Sequence, residues 1–315
     1  MKFDFTRRTA LIGGGFIAFR PWDSIAVEQD QSISDEILTD DLPLGFMGDY
    51  DANYLGPALS MGPRGPFVFP ADAESDTAYG IDISHYTEAV PWAGLSGVRV
   101  KYVYIKASQA LKRDGKFEMH WQAAKEHGIP RGAYHWLTPG IGGKEQGDWL
   151  VARIKAAGGL EKGDLQPVID LEWDYLGKTF KKTILSYKRV GGKNVPQYKD
   201  YWADHSRDAI VAEVDACIAA IKAGFPGLNV VPVIYTNRSW WDIRLGSTVR
   251  FGCPVWPADF REKSHQQGMP RLVVGHDYHC WQFTEKGAIV VDGKRFGPFD
   301  CNRIIKGTLA NMLVT

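Results

Sequence analysis

The heptapeptide PVIDLEW at residues 167–173 combines the apolar side chains of a buried strand with two acids near its carboxyl end. Side chains alternate across a strand, so Asp170 and Glu172 share one face while Ile169 and Leu171 take the other. Two like charges on a buried face cost free energy unless they are paired or used. The heptapeptide therefore predicts a core strand whose acids are catalytic, ion-paired within the core, or ligands of a hard cation.

Similar apolar runs recur along the chain on both sides of this strand. They lie at residues 79–84, 100–106, 131–137, 167–172, 229–235, 253–258, 279–284 and 288–292. Apolar residues at helical spacing predict helices over 115–127, 144–157 and 207–224. Alternating strands and helices favour parallel strands joined by crossover helices, and about eight strands favour closure. Because the last two runs are too close for a helix between them, we expect an irregular, TIM-like α/β barrel with fewer helices than strands.

Two further acids lie in or beside apolar segments. Asp82 stands inside YGIDISH at 79–85, and Asp300 follows FGPF at 296–299. Acids near the carboxyl ends of parallel barrel strands converge on one face of the barrel. Cleavage of a glycosidic bond needs one protonated carboxyl group and a second that stays ionised, and burial beside negative charge raises one pKa. A glycosidase site is one interpretation of this pattern.

Composition excludes some classes of protein. The 315 residues include 37 Lys or Arg and 37 Asp or Glu, so the formal net charge is zero. A charge-balanced chain is not a globally basic nucleic-acid binder. Aromatic residues make up 12% of the chain, which suits either a carbohydrate-facing surface or a large core.

The first 78 residues differ from the rest of the chain. Residues 1–26 carry a twin arginine, Arg7-Arg8, then a short apolar stretch and small residues before Val27. They predict an export signal of the twin-arginine kind, with a signal for the Sec route or an ordinary basic N-terminus as the alternatives. The stretch is too short to span a bilayer, so we expect a periplasmic or extracellular protein without stable membrane insertion. Residues 27–78, with eleven acids and one base, predict an acidic arm or linker.

Seven segments, taken in order, resemble the glycoside hydrolase family 25 lysozymes, the Chalaropsis-type muramidases. They are GIDIS at 80–84, YIKAS at 104–108, GAYHW at 132–136, VIDLE at 168–172, WPADF at 256–260, WQFT at 281–284 and FDCN at 299–302. The resemblance implies a TIM-like catalytic domain over 79–315. It also implies a muramidase that cuts the β-1,4 bond between N-acetylmuramic acid and N-acetylglucosamine in peptidoglycan.

The resemblance also implies roles for individual residues. Glu172 matches the general acid. Asp170 matches the second carboxylate, which is either a nucleophile or the group that orients the substrate's 2-acetamido group. Asp82 and Asp300 match the remaining acids of the site. The residues expected to bind substrate are Tyr134, Lys106, Trp256, Trp281 and Tyr104. The family likeness implies glycan strands of peptidoglycan as the partner, and we expect a monomer that needs no metal, cofactor or nucleic acid.

Several alternatives stay open at this point. The chain is also compatible with an exported glycan-binding relative without turnover, or with a cation-dependent polysaccharide deacetylase that uses Asp82, Asp170 and His135. Residues 175–199 contain seven Lys or Arg and no acid. This segment is either a basic lip that binds peptide-bearing glycan, a solvated loop, or a patch that pairs with the acidic arm. Of the four cysteines, Cys217 is predicted to be a core thiol, and a bridge between Cys280 and Cys301 is compatible with export.

Overall fold

The computed structural model describes residues 37–38 (backbone only), 67–71, 77–260, 268–271, 273 and 275–315. These residues belong to one compact unit. The predicted export signal, and most of the predicted acidic arm, lie outside the described residues. Among the described helices, none is both long enough and apolar enough to cross a membrane.

Thirteen strands and four α-helices follow one another along the described chain. The strands are β1 (Ile37–Leu38), β2 (Phe67–Val68), β3 (Tyr79–Ile83), β4 (Val100–Gln109), β5 (Lys112–Asp114), β6 (Arg131–Trp136), β7 (Val168–Leu171), β8 (Ile184–Val190), β9 (Lys193–Tyr198), β10 (Val233–Asn237), β11 (Val255–Ala258), β12 (Cys280–Val291) and β13 (Lys294–Ile304). The α-helices are α1 (Phe117–Glu126), α2 (Gly143–Ala156), α3 (Arg207–Gly224) and α4 (Arg238–Arg244). Three of these helices coincide closely with the predicted ones.

Eight strands close into a barrel in the order β4-β3-β13-β12-β11-β10-β7-β6, and β6 pairs again with β4. Neighbours are parallel except at β13, which runs antiparallel to both β12 and β3. Four α-helices for eight barrel strands confirm the predicted irregular barrel with fewer helices than strands. Because seven strands run the same way, their carboxyl ends meet at one mouth of the barrel.

The last two barrel strands differ from the prediction. Residues 279–284 and 288–292 were expected as separate strands, but both lie in β12, whose pairing with β13 is interrupted by register shifts between Gln282 and Ile289. The eighth barrel strand is β13, which the prediction missed. Asp292 and Gly293, with φ of 50° and 74°, form the two-residue turn between β12 and β13. Positive φ at both central residues is the geometry of a tight β-hairpin, and Asp-Gly is a usual sequence for it.

Strand alternation divides the apolar side chains into two layers. One cluster fills the barrel interior and includes Tyr102, Tyr104, Tyr134, Tyr235 and Trp256. The other lies between the barrel and its covering elements, where Ile81, Val103, Ile169, Ile234, Trp281 and Phe283 are buried. The interior rings leave no space beside the backbone: a Cβ atom on Gly80 would stand 2.2 Å from the Tyr102 ring, and one on Gly132 would stand 2.4 Å from the Tyr104 ring.

Part of the predicted arm packs on the barrel. Phe67–Val68 pairs in parallel with β12, and the backbone N–H of Phe69 donates to the carbonyl of Ala288 at 3.1 Å. The ring of Phe67 meets that of Phe283 edge-on, with 5.0 Å between centroids. The folded region thus includes residues before Tyr79, the predicted start of the catalytic domain.

The basic segment 175–199 forms a hairpin of its own. Strands β8 and β9 pair with each other, and no pairing joins them to the barrel sheet in the described part of the chain. All of β8 except Val190 is exposed. The hairpin follows the strand that carries Asp170 and Glu172.

Candidate active site

The four predicted acids meet at the mouth of the barrel. Asp82, Asp170 and Asp300 stand at interior-facing positions of β3, β7 and β13, and Glu172 follows β7 directly. Asp82, Asp170 and Glu172 are almost completely buried. All four carboxyl groups lie close enough to the Tyr235 hydroxyl to raise its pKa when they are ionised, although burial is the larger cause. A small pocket between Asp82 and Asp170 is lined by Tyr134, Tyr235 and Trp256.

Two amides fix the Asp82 carboxylate. Asn302 Nδ2 donates to Asp82 Oδ2 at 2.7 Å, and Gln282 Nε2 lies 3.0 and 3.2 Å from the two carboxylate oxygens. The amide oxygens face the other way because the Tyr235 hydroxyl donates to Gln282 Oε1 at 2.7 Å and the Trp256 indole donates to Asn302 Oδ1 at 2.9 Å. The amide N–H groups are therefore held toward Asp82, where they stabilise a negative charge.

Asp82 and Asp300 form a hydrogen-bonded pair of acids. They stand directly opposite each other in the β3–β13 register. Burial raises the pKa of Asp82 from 3.8 to about 6, while the hydrogen bonds from Asn302 and Gln282 act against this rise. Burial, and then the charge of Asp82, raise the pKa of Asp300 well above its ordinary value. Two buried acids in contact repel each other when both are ionised, which favours one shared proton and one negative charge on the pair.

Asp170 is an acid of the mouth whose two carboxylate oxygens are available to accept hydrogen bonds. Both of its carboxylate oxygens are buried, and neither has a hydrogen-bond partner in the described part of the chain. Burial raises its pKa well above the ordinary value, and the positive charge of Lys106 is the opposing influence. Since an unpartnered buried carboxylate is costly, a ligand that donates a hydrogen bond in the pocket would relieve that cost.

Lys106 supplies the positive charge at this mouth. Its Nζ donates to Gln109 Oε1 at 3.0 Å and lies 4.8 Å from the centre of the Trp136 ring. Burial lowers the pKa of Lys106, while the charges of Asp114, Asp170, Glu172 and Asp174 act in the opposite direction. One lysine thus stands within the field of several acids and offsets part of their repulsion.

Asp174 fixes the chain where it leaves the mouth. Its Oδ1 accepts the backbone N–H groups of Leu176 at 2.9 Å and Gly177 at 2.7 Å. Burial raises the pKa of Asp174 to about 6, and these two N–H groups oppose the rise. This acid holds the turn that follows Glu172.

The predicted substrate-binding residues divide into two groups. Tyr134 and Trp256 line the pocket, and Lys106 lies beside Asp170. Tyr104 also faces the interior, where its ring stacks on Trp256 with 4.7 Å between centroids.

Trp281 is not brought to the acids. It points into the outer layer, and its indole N–H donates to the carbonyl of Asp259 at 2.9 Å. The predicted contact between Trp281 and substrate therefore has no support from its position, since the next residue along β12, Gln282, takes the interior face. Gln282, Asn302 and Tyr235 were absent from the predicted site. A polar residue within a buried apolar strand, the signal that singled out Asp82, would also have found the two amides.

His135 faces away from the pocket. Its Nδ1 lies 2.8 Å from Ser108 Oγ, and its Nε2 lies 3.2 Å from Gln146 Oε1 on α2. Burial lowers its pKa to about 4. A deacetylase site built from Asp82, Asp170 and His135 is therefore not assembled, because β6 places Tyr134 and His135 on opposite faces.

The cysteines do not pair. All four are free and buried. Cys280 belongs to the interior cluster, whereas Cys301 lies in the outer layer, where its thiol donates to the carbonyl of Phe299 at 3.4 Å. The bridge considered between Cys280 and Cys301 is wrong, because the two side chains lie on opposite faces of the sheet.

A TIM-like barrel with buried carboxylates at the mouth defines the architecture of a barrel glycoside hydrolase. Residues 81–291 match the family described as glycosyl hydrolases family 25, and the chain belongs to this family. It is 31% identical over 244 residues to the Escherichia coli K12 protein described as uncharacterized protein YegX. The matched region covers 76% of this chain and 73% of that protein. Lysozyme M1 of Streptomyces globisporus is 26% identical over 262 residues, 81% of this chain and 76% of that enzyme.

The barrel is also similar to a solved structure. The bacterial lysozyme of Streptomyces coelicolor superposes with a TM-score of 0.57 at 23% identity, covering 76% of this chain and 96% of that structure. This likeness confirms the fold predicted from the sequence. The family match confirms the resemblance that the seven segments indicated.

Proposed function

We propose that the protein is a lysozyme that hydrolyses the β-1,4 bond between N-acetylmuramic acid and N-acetylglucosamine in peptidoglycan. The observation that carries the proposal is the convergence of Asp82, Asp170, Glu172 and Asp300 at one mouth of a family 25 barrel. The relative named Lysozyme M1 supports the same activity.

Glu172 acts as the general acid. It follows β7 directly, is almost completely buried, and lies within electrostatic range of Lys106 and Tyr235. A protonated carboxyl at this position donates its proton to the glycosidic oxygen as the bond to the leaving sugar breaks. Water then adds to the anomeric carbon and gives one proton to the Glu172 carboxylate, which restores the acid.

Asp170 acts on the sugar at the cleaved bond. Its two open oxygens can accept the N–H of a 2-acetamido group or approach the anomeric carbon. Either contact supplies the partner that this carboxylate lacks, and so favours its ionised form when substrate is present. Lys106 supports that form through its positive charge.

Asp82 stabilises the positive charge that develops on the sugar ring. The transition state is oxocarbenium-like, and a fixed carboxylate in a buried pocket stabilises it without reorganisation. Asn302 and Gln282 hold the Asp82 charge, while the pair with Asp300 shares one proton. Tyr134 and Trp256 give the pocket walls against which a sugar ring packs.

A wall-degrading enzyme must reach the cell wall, which supports the predicted export signal at residues 1–26 and a periplasmic or extracellular location. A monomer is sufficient for this chemistry, since all the proposed catalytic groups come from one chain. The four carboxyl groups at the barrel mouth argue against a glycan-binding protein that has no catalytic activity.

Mass spectrometry of purified peptidoglycan after digestion tests this proposal. We expect soluble fragments with N-acetylmuramic acid at the reducing end, released at the same rate with and without a chelator. Loss of acetyl groups without chain cleavage would identify a deacetylase and contradict the proposal. Retention of all material in the wall, with the protein bound to it, would identify a glycan-binding relative instead.

A further inference from the structure

The hairpin formed by β8 and β9 is anchored at the catalytic mouth. Asp174, two residues beyond Glu172, accepts the N–H of Leu176 and Gly177 at the start of the segment. At its end, the backbone N–H of Tyr201 donates to the carbonyl of Asp174 at 2.7 Å. Both ends of the hairpin segment are thus fixed next to the strand end that carries the general acid.

A second contact places the hairpin base beside Lys106. The Nζ of Lys112 lies 4.4 Å from the centre of the Phe180 ring, just before β8. Lys112 pairs in register with Gln109, which accepts from Lys106. The base of the hairpin therefore lies between the mouth ends of β4 and β7.

The hairpin presents cations to solvent. Lys188, Arg189 and Lys193 are exposed near its turn, and none of them has an acidic partner in the described part of the chain. The whole segment 175–199 contains no acid. Because a cluster of cations without acidic partners repels itself, its position beside a site favours an anionic partner.

Apolar side chains share the exposed surface of β8. Leu185 is 67% exposed and Tyr187 is 63% exposed. By strand alternation Tyr187 shares one face of the ribbon with Arg189, while Lys188 shares the other face with Lys193. A two-stranded ribbon contributes little to a core and is marginally stable alone. An exposed ribbon that carries cations on both faces and apolar side chains beside them is complementary to a peptide that carries carboxylates, more than to a neutral sugar chain.

We propose that the β8–β9 hairpin binds the stem peptides of peptidoglycan, with Lys188 and Arg189 on their carboxylates, so that the enzyme prefers peptide-bearing glycan. This inference rests on the lysozyme activity proposed above. It adds a specificity surface outside the carboxylate pocket.

The test uses the full chain with two charges reversed, Lys188→Glu and Arg189→Glu. The matched control reverses Lys162 and Lys222, exposed lysines that precede β7 and β10 at the opposite end of the barrel. Two substrates are compared: intact peptidoglycan, and the same glycan after an amidase has removed its peptides. We expect kcat/KM of the hairpin variant to fall about 3- to 10-fold on intact peptidoglycan, mainly through KM, and to stay unchanged on the bare glycan.

Further measurements sharpen the result. The neutral pair Lys188→Gln and Arg189→Gln should lose less than the charge reversal, and the preference for intact peptidoglycan should shrink as salt is raised. Equal losses on both substrates, no loss on either, or an equal loss in the control would overturn the proposal. If Tyr187→Ala lowers kcat/KM equally on both substrates, the surface binds sugars instead, and the proposal of peptide binding is overturned.

Failure of the lysozyme activity itself is recognised separately. A wild-type protein that cleaves neither substrate contradicts the proposed function without testing the hairpin. In that case, sedimentation of the protein with insoluble peptidoglycan, with and without the charge reversal, still measures whether the hairpin binds the peptides. Weaker sedimentation only when peptides are present supports the inference, and identical sedimentation overturns it.

Discussion

The substitution Asn302→Leu removes the hydrogen bond that most strongly opposes the rise in the pKa of Asp82. Asn302 Nδ2 lies 2.7 Å from Asp82 Oδ2, and leucine has a similar volume but no donor. A hydrogen bond to a charged group contributes about 1.5–3 kcal/mol, and one pKa unit corresponds to about 1.4 kcal/mol. We therefore expect the pKa of Asp82 to rise from about 6 by a further ~1–2 units.

The assay is the pH dependence of kcat/KM on soluble peptidoglycan fragments. If catalysis needs ionised Asp82, the acidic limb of the wild-type profile lies near pH 6, the pKa of this group. The limb of Asn302→Leu should move upward by about 1–2 units, with activity recovering at higher pH. Trp256→Phe is the matched control, because it also breaks the contact between residues 256 and 302 but leaves the Asn302 donor on Asp82. A uniform loss of activity with an unmoved limb would refute the reasoning.

Three further expectations follow from the same structure. Asp170→Asn should lower kcat/KM by at least ~100-fold without lowering the melting temperature, because it removes a buried carboxylate that lacks a partner; a lower melting temperature would contradict this. Burial raises the pKa of Asp82 and Asp174 from 3.8 to about 6, so the folded state holds their protons more tightly. The stability that this contributes, up to about 3 kcal/mol for each group, is present below pH 3.8 and lost as the pH rises through 6. Denaturant titrations at several pH values should show that the free energy of unfolding decreases less between pH 4 and pH 7 in Asp174→Asn than in the wild type. An equal decrease in the two proteins would contradict the assignment. Trp281→Ala should lower the free energy of unfolding by about 3–5 kcal/mol while kcat/KM per folded molecule stays unchanged, and a rise in KM would restore Trp281 to the site.

The barrel was predictable because its strands carry a strong local signal. The run at 167–172 is apolar apart from its two acids, and its counterparts are mostly apolar on both faces, as expected for strands enclosed by an interior and an outer layer. The acids were predictable for a related reason: Asp82 and Asp170 interrupt apolar strands, and a parallel barrel brings such interruptions to one mouth. The local sequence pattern and the closure of the barrel together predict that these acids lie near one another, although they give no distances.

The antiparallel strand was missed because its sequence lacks that signal. Residues 294–299 of β13 include two basic residues, a glycine and a proline, and most of them are exposed. The Asp292-Gly293 turn was the available indication of a hairpin. The bulges near Thr284 hid the continuity of β12, because an irregular strand breaks the alternation that identifies it.

The pairing of side chains around Asp82 could not be derived from local sequence. Gln282 and Asn302 lie 200 and 220 residues from Asp82 and reach it only when the barrel closes. Trp281 was predicted as a substrate contact because it lies in a segment that resembles the family, while the face of each residue depends on the register of β12. Sequence likeness identified this segment, and only the structure shows which of its side chains faces the pocket.

The most direct test of the account is the turnover of purified peptidoglycan by Glu172→Gln. The substitution is nearly isosteric, so we expect a wild-type circular dichroism spectrum and melting temperature. The amide cannot donate a proton to the glycosidic oxygen as an acid does, so the release of reducing ends should fall by at least ~100-fold. A folded Glu172→Gln protein that releases reducing ends at the wild-type rate would contradict the assignment of Glu172 and the mechanism built on it.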